Sequence, residues 1–133
     1  MDKKLKDSLS KIKLLICDID GVLTDGSFIK STSGEELRSF NALDGVGFVV
    51  LRLLDLNVKT AWITGRESLT TTQRAEELQI DDVYNGVIRK IDAYNELKKK
   101  YELSDSEVCF IGDDIIDIPV SYTHLTLPTR AVV

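Results

Sequence analysis

The chain has 133 residues, a length that suits one domain able to bury a core. Hydrophobic residues make up 43% and charged residues 29%, ordinary globular proportions that exclude a disordered or fibrous class. A net charge of -5 argues against nucleic acid as a partner, since a phosphate backbone is met by clustered Lys and Arg.

Near the amino terminus the apolar run breaks off at Asp18 after a few residues, too short for a signal-peptide core or a membrane span. No membrane partner and a cytoplasmic location are therefore expected. Residues 12–17 are predicted as a buried strand, which ends at Asp18-Ile19-Asp20-Gly21. Residues two apart in an extended chain point the same way, so Asp18 and Asp20 direct two carboxylates at one site. Alone, an Asp-Gly pair after a strand is an ordinary turn. Residues 27–30 and 35–40 flank Ser31, Thr32, Ser33 and Gly34, the pattern of a β-hairpin that would project from the sheet.

Helical spacing follows over residues 45–56, then a second strand over 58–63 leading into Thr64-Gly65-Arg66 and a helix over 68–78. There a hydroxyl, backbone amides and a helix start could hold a phosphoryl oxygen, although the same residues also serve as a plain helix cap. Lys90 opens a helix over 91–101, and a basic residue at that end runs against the macrodipole, which favours an anionic partner. The last apolar run, 108–111, leads into Gly112-Asp113-Asp114-Ile115-Ile116-Asp117. Cys17 and Cys109 lie in strand-like runs without metal or disulfide spacing, and read as reduced thiols.

The alternation of strands and helices predicts an α/β fold, a doubly wound parallel sheet with the loops after its strands gathered at one edge. Clustered Asp residues repel unless a cation compensates, and hard oxygen donors without His or thiolate suit Mg²⁺. A phosphate dianion, an attacking Asp18 and a ligand Asp113 sum to about -4, against about +3 from Mg²⁺ and Lys90. Phosphoryl transfer depends on positioning and on neutralising the equatorial oxygens, and these parts supply both. In this scheme Asp18 is the nucleophile, and Asp20 protonates the leaving alkoxide and then activates the hydrolytic water.

The order DxDGVLTD, ITGR, a helix-opening Lys and GDDxxD resembles the four motifs of the haloacid dehalogenase (HAD) superfamily. The resemblance implies a Rossmann-like phosphatase domain over residues 1–120 with no cap domain. It also implies catalytic roles for Asp18, Asp20, Thr64 and Lys90. Phosphate and substrate contacts would come from Thr64, Gly65, Arg66 and Lys90; Arg66 is the candidate for binding the sugar acid on its own chemistry and position, not on the resemblance. Magnesium would be held by Asp18, Asp113 and the backbone carbonyl of Asp20, with Asp114 and Asp117 in support of the metal waters or the Lys.

The segments Leu23-Thr24-Asp25-Gly26, Glu36-Leu37-Arg38-Ser39-Phe40 and Asp44-Gly45-Val46-Gly47 are similar to the capless KdsC-type branch, whose type member is 3-deoxy-D-manno-octulosonate 8-phosphate phosphatase. That branch implies a cytoplasmic enzyme of lipopolysaccharide precursor synthesis. It also implies a homotetramer in which the hairpin covers a neighbour's site. A nonulosonate 9-phosphate phosphatase of the same branch is the alternative. A receiver-type signalling domain is the alternative from another class, but receivers place their acidic pair first in the chain; an inactive scaffold is a third. Residues 121–133 resemble nothing in the branch and read as a truncated or chimeric end.

Overall fold

A computed structural model describes residues 3–117, 119 and 120. The expected atypical tail, 121–133, lies outside the described residues. Four parallel strands form the main sheet: β1 (Leu14–Cys17), β4 (Lys59–Thr64), β5 (Asp82–Asn85) and β6 (Val108–Ile111), in the order β5-β4-β1-β6. β1 is central, with Leu14 opposite Lys59 on one side and Val108 on the other. The chain leaves β1 towards β4 and returns to β1's other side as β6, so the order switches at β1, where ligands of doubly wound sheets bind.

Helices cover both faces. α2 (Ala42–Leu53) and α3 (Leu69–Leu78) border a core of Ile19, Leu23, Phe48, Trp62 and Ala75. α4 (Lys90–Tyr101) lies on the other face, where Ala93, Tyr94 and Leu97 pack with Leu14, Ile16, Ile63, Val108 and Phe110. Burial on both faces explains why β1, β4 and β6 read as apolar runs instead of alternating ones. α1 (Lys3–Leu9) precedes β1 and buries no residue.

The hairpin forms, but as two short strands, β2 (Ile29–Lys30) and β3 (Glu36–Leu37), paired antiparallel in a sheet of their own. Gly34 turns it with a φ of +91°. α2 begins three residues before the expected Gly45, because the Asn41 side chain caps it by accepting from the Leu43 amide at 2.8 Å. Among the described residues the hairpin is the principal insertion between β1 and α2, and no cap domain is present. No helix of the described residues is long and apolar enough to cross a membrane.

Candidate active site

Asp18 directly follows β1, Thr64 ends β4, and Gly112 to Asp117 follow β6, so parallel register brings all three to one edge of the sheet. Lys90, the first residue of α4, reaches the same edge and is 1% exposed. Its Nζ lies 2.9 Å from Asp18 Oδ1 and 2.6 Å from Asp117 Oδ1. Asp117 Oδ2 also accepts from the Asp114 amide at 3.1 Å, and Asp18 Oδ1 accepts from the Ile19 amide at 2.7 Å. Oxygens of Asp18, Asp113 and Asp117 all lie within 4.8 Å of one another.

Two glycines let these acidic loops approach. A Cβ at Gly21, whose φ is +84°, would stand 1.8 Å from Asp113 Oδ2. At Gly112 a Cβ would stand 2.4 Å from Asp117 Oδ2. Neither position tolerates a side chain without moving a carboxylate.

The charges do not balance within the protein: three carboxylates face one ammonium, a net of two negative charges. Burial raises the Asp18 carboxyl above its ordinary value, Lys90 and the Ile19 amide oppose the shift, and Asp117 adds to it. Burial also raises Asp113, with Asp117 and Asp114 adding repulsion. Oxygen-only donors with this excess charge fit a hard divalent cation. Asp117, expected as a supporting residue, stands inside the cluster and bridges it to Lys90.

The Asp20 carboxylate faces two arginines. Its Oδ1 lies 3.4 Å from Arg38 Nη1 and its Oδ2 lies 3.9 Å from Arg66 Nε. Glu36 meets the same two arginines, Oε1 at 3.1 Å from Arg38 Nε and Oε2 at 3.9 Å from Arg66 Nη1. The four side chains close a ring of alternating charge, and Arg66 also stacks over Phe28 at 3.9 Å. Phe28, Glu36 and Arg38 all belong to the hairpin region, whose side chains thus enter the site of their own chain. Sequence reading gave none of the three a site role. The available signal was the spacing of Glu36 and Arg38, which puts both on one side of an extended segment.

Thr64 is 1% exposed, and its hydroxyl accepts from the Arg66 amide at 3.3 Å, which ties the turn to the strand end. Asn85, at the end of β5, fastens the same loop by accepting from the Ser68 amide at 3.0 Å and donating to the Ser68 carbonyl at 2.8 Å. α3 starts only at Leu69, so the helix start lies beyond the Thr64-Gly65-Arg66 turn. Cys17 adjoins Asp18 without competing for its chemistry: burial, with Cys109 and Asp18 nearby, pushes its thiol up to about 12, where it stays protonated.

No family model matches the chain. The KdsC 3-deoxy-D-manno-octulosonate 8-phosphate phosphatase of Yersinia pestis is 43% identical over 111 residues, 84% of this chain and 58% of that protein. The chain thus spans less than two thirds of the curated relatives it matches. The crystal structure of the Moraxella catarrhalis enzyme of the same description, in complex with magnesium, phosphate and KDO, superposes with a TM-score of 0.84 at 33% identity. That match covers 90% of this chain and 68% of the other. The chain belongs to the KdsC-type branch of the HAD superfamily. Another member, the cobalt-bound deoxy-D-mannose-octulosonate 8-phosphate phosphatase of Haemophilus influenzae, superposes at 0.80 with 34% identity, over 86% of this chain and 66% of that one. The KdsC-type fold therefore accounts for the parallel sheet and for the convergence of all four motifs at its edge.

Proposed function

We propose that this chain is a Mg²⁺-dependent phosphatase that hydrolyses 3-deoxy-D-manno-octulosonate 8-phosphate to the free sugar acid and phosphate, a step of lipopolysaccharide precursor synthesis in the cytoplasm. The observation that carries this reading is the meeting of Asp18, Asp113 and Asp117 with Lys90 at the switch point of the sheet, with their excess of negative charge. Asp18, Asp113 and the Asp20 carbonyl would hold Mg²⁺, with Asp117 within reach. When bound, the ion neutralises charge on the phosphoryl oxygens.

The chain's own residues do the rest. Lys90 and Ile19 orient the Asp18 carboxylate, one oxygen of which forms a bond to phosphorus as the ester P–O bond breaks. Asp20 donates a proton to the departing alkoxide. It then takes one from the water that cleaves the aspartyl-phosphate, releasing phosphate and restoring Asp18. Thr64 and the Gly65 amide bind phosphoryl oxygens, and the Arg66 guanidinium, 40% exposed, remains open to a substrate carboxylate.

A homotetramer fits the apolar residues left exposed on the hairpin and on one stripe of α2: Ile29, Leu37, Leu43, Val46, Val50 and Leu53. The test is phosphate release with Mg²⁺ from octulosonate 8-phosphate, nonulosonate 9-phosphate and an aryl phosphate. A clear preference in kcat/KM for the eight-carbon ester is expected. Preference for the nine-carbon ester moves the chain to the alternative substrate, and preference for the aryl ester removes the biosynthetic role.

A further inference from the structure

Arg38 has a setting unlike that of any other arginine described. Its side chain is 0% exposed, and burying a guanidinium is costly unless its charge and donors are met. Nε donates to Glu36 Oε1 at 3.1 Å and Nη1 donates to Thr71 Oγ1 at 3.0 Å. Nη2 is buried with no hydrogen-bond partner among the described residues. A planar group fixed at two of its nitrogens cannot swing, so Nη1 is held at one point, 3.4 Å from Asp20 Oδ1. The other cation facing Asp20, Arg66, is 40% exposed, stands 3.9 Å away and is shared with Glu36. Of the two, Arg38 is the fixed one.

We infer that Arg38 is a positioning residue, which uses its ties to Glu36 and to Thr71 of α3 to hold the Asp20 carboxylate where it meets the leaving oxygen. This rests on the phosphatase reading and adds to it a role for the hairpin of the same chain. An arginine that merely tied the hairpin to α3 would have no reason to approach Asp20. It would leave the chemistry of proton transfer untouched.

The two cases differ in their dependence on the leaving group. An alkoxide leaves only as Asp20 delivers a proton to the ester oxygen while the Asp18–phosphorus bond forms. A phenolate is stable enough to leave without that proton. In kcat/KM, which covers steps through formation of the aspartyl-phosphate, a displaced Asp20 therefore penalises a sugar ester and spares an aryl ester.

The experiment measures kcat/KM of the full chain with Mg²⁺ on the preferred sugar-acid phosphate and on an aryl phosphate, for wild type, Arg38→Met, Arg38→Lys and Thr71→Val. We expect Arg38→Met to lose about tenfold or more on the sugar ester and to stay within about twofold on the aryl ester. Arg38→Lys, which keeps the charge, should recover part of that loss, and Thr71→Val should show a smaller loss with the same selectivity. An equal loss on both esters, or none on either, in folded protein overturns the inference. If Arg38→Met does not fold, the other two variants decide by the same criterion. A wild type that hydrolyses neither ester instead removes the phosphatase reading itself.

Discussion

The two ends of the same four strands treat charge in opposite ways. At the amino-terminal edge, acids and bases are matched singly: Lys13 with Glu107 at 2.6 Å and Lys59 with Asp81 at 3.1 Å, both partly exposed. There, hydrogen bonds from Lys13 and from the Ser104 amide and hydroxyl hold Glu107 at about 2. Burial pushes Asp81 up, but Thr60 and Lys59 outweigh it and leave the carboxyl below its usual range. At the carboxyl-terminal edge, three acids crowd one buried Lys, and Asp18 and Asp113 are pushed up instead. A protein that folded for stability alone would balance both edges. The unbalanced one is the edge at which the proposed cation and phosphate ester would bind.

The sharpest way to break this contrast is Asp18→Asn. It should lower turnover on the order of 10³-fold or more, measured as phosphate release by protein with an unchanged circular dichroism spectrum. Lys90→Met should come next. Without its ammonium, Asp18 and Asp117 are buried and unpaired, and unfolding should become easier by about 3 kcal/mol in urea melts. The matched change at the other edge, Lys59→Met, should cost less than about 1 kcal/mol.

Gly21→Ala sharpens the comparison at the loop. It combines a positive φ with a collision against Asp113, and should cost roughly 1–3 kcal/mol and weaken Mg²⁺ binding, read as a smaller rise in thermal midpoint on adding Mg²⁺. The smallest effect should be at Glu107. Its carboxyl is lowered in the fold, so its contribution is present above its ordinary value of 4.5 and lost as pH falls towards about 2. Glu107→Gln should flatten the pH dependence of the thermal midpoint across that interval.

Much of the fold was legible because the central strands are buried on both faces and so announce themselves as apolar runs. β5 gave no such signal: Asp-Val-Tyr-Asn is half-buried throughout and, among the described residues, is an edge strand that pairs only with β4. The start of α2 was displaced because the Asn41 cap lies before the apolar spacing begins. Of the site, Asp18, Lys90 and Asp113 were legible because Asp18 directly follows a strand, Asp113 lies two residues beyond one and Lys90 opens a helix, where parallel topology fixes the edge each occupies. The place of Asp117 was not, since it depends on a short helical turn, Ile115–Asp117, that carries it back to Lys90.

By itself the sequence determined the apolar strands, the motif residues and the sign of the charge they would gather, because burial period and residue type are local properties of the chain. Only the tertiary structure decided which side chains share a partner. It brought Glu36 and Arg38 from the hairpin to Asp20 and Arg66, placed Asp117 beside Lys90 in the cluster with Asp18 and Asp113, and left Arg38 buried where Arg66 is partly exposed. Those arrangements depend on contacts between segments far apart in the chain, whose distances no local pattern records.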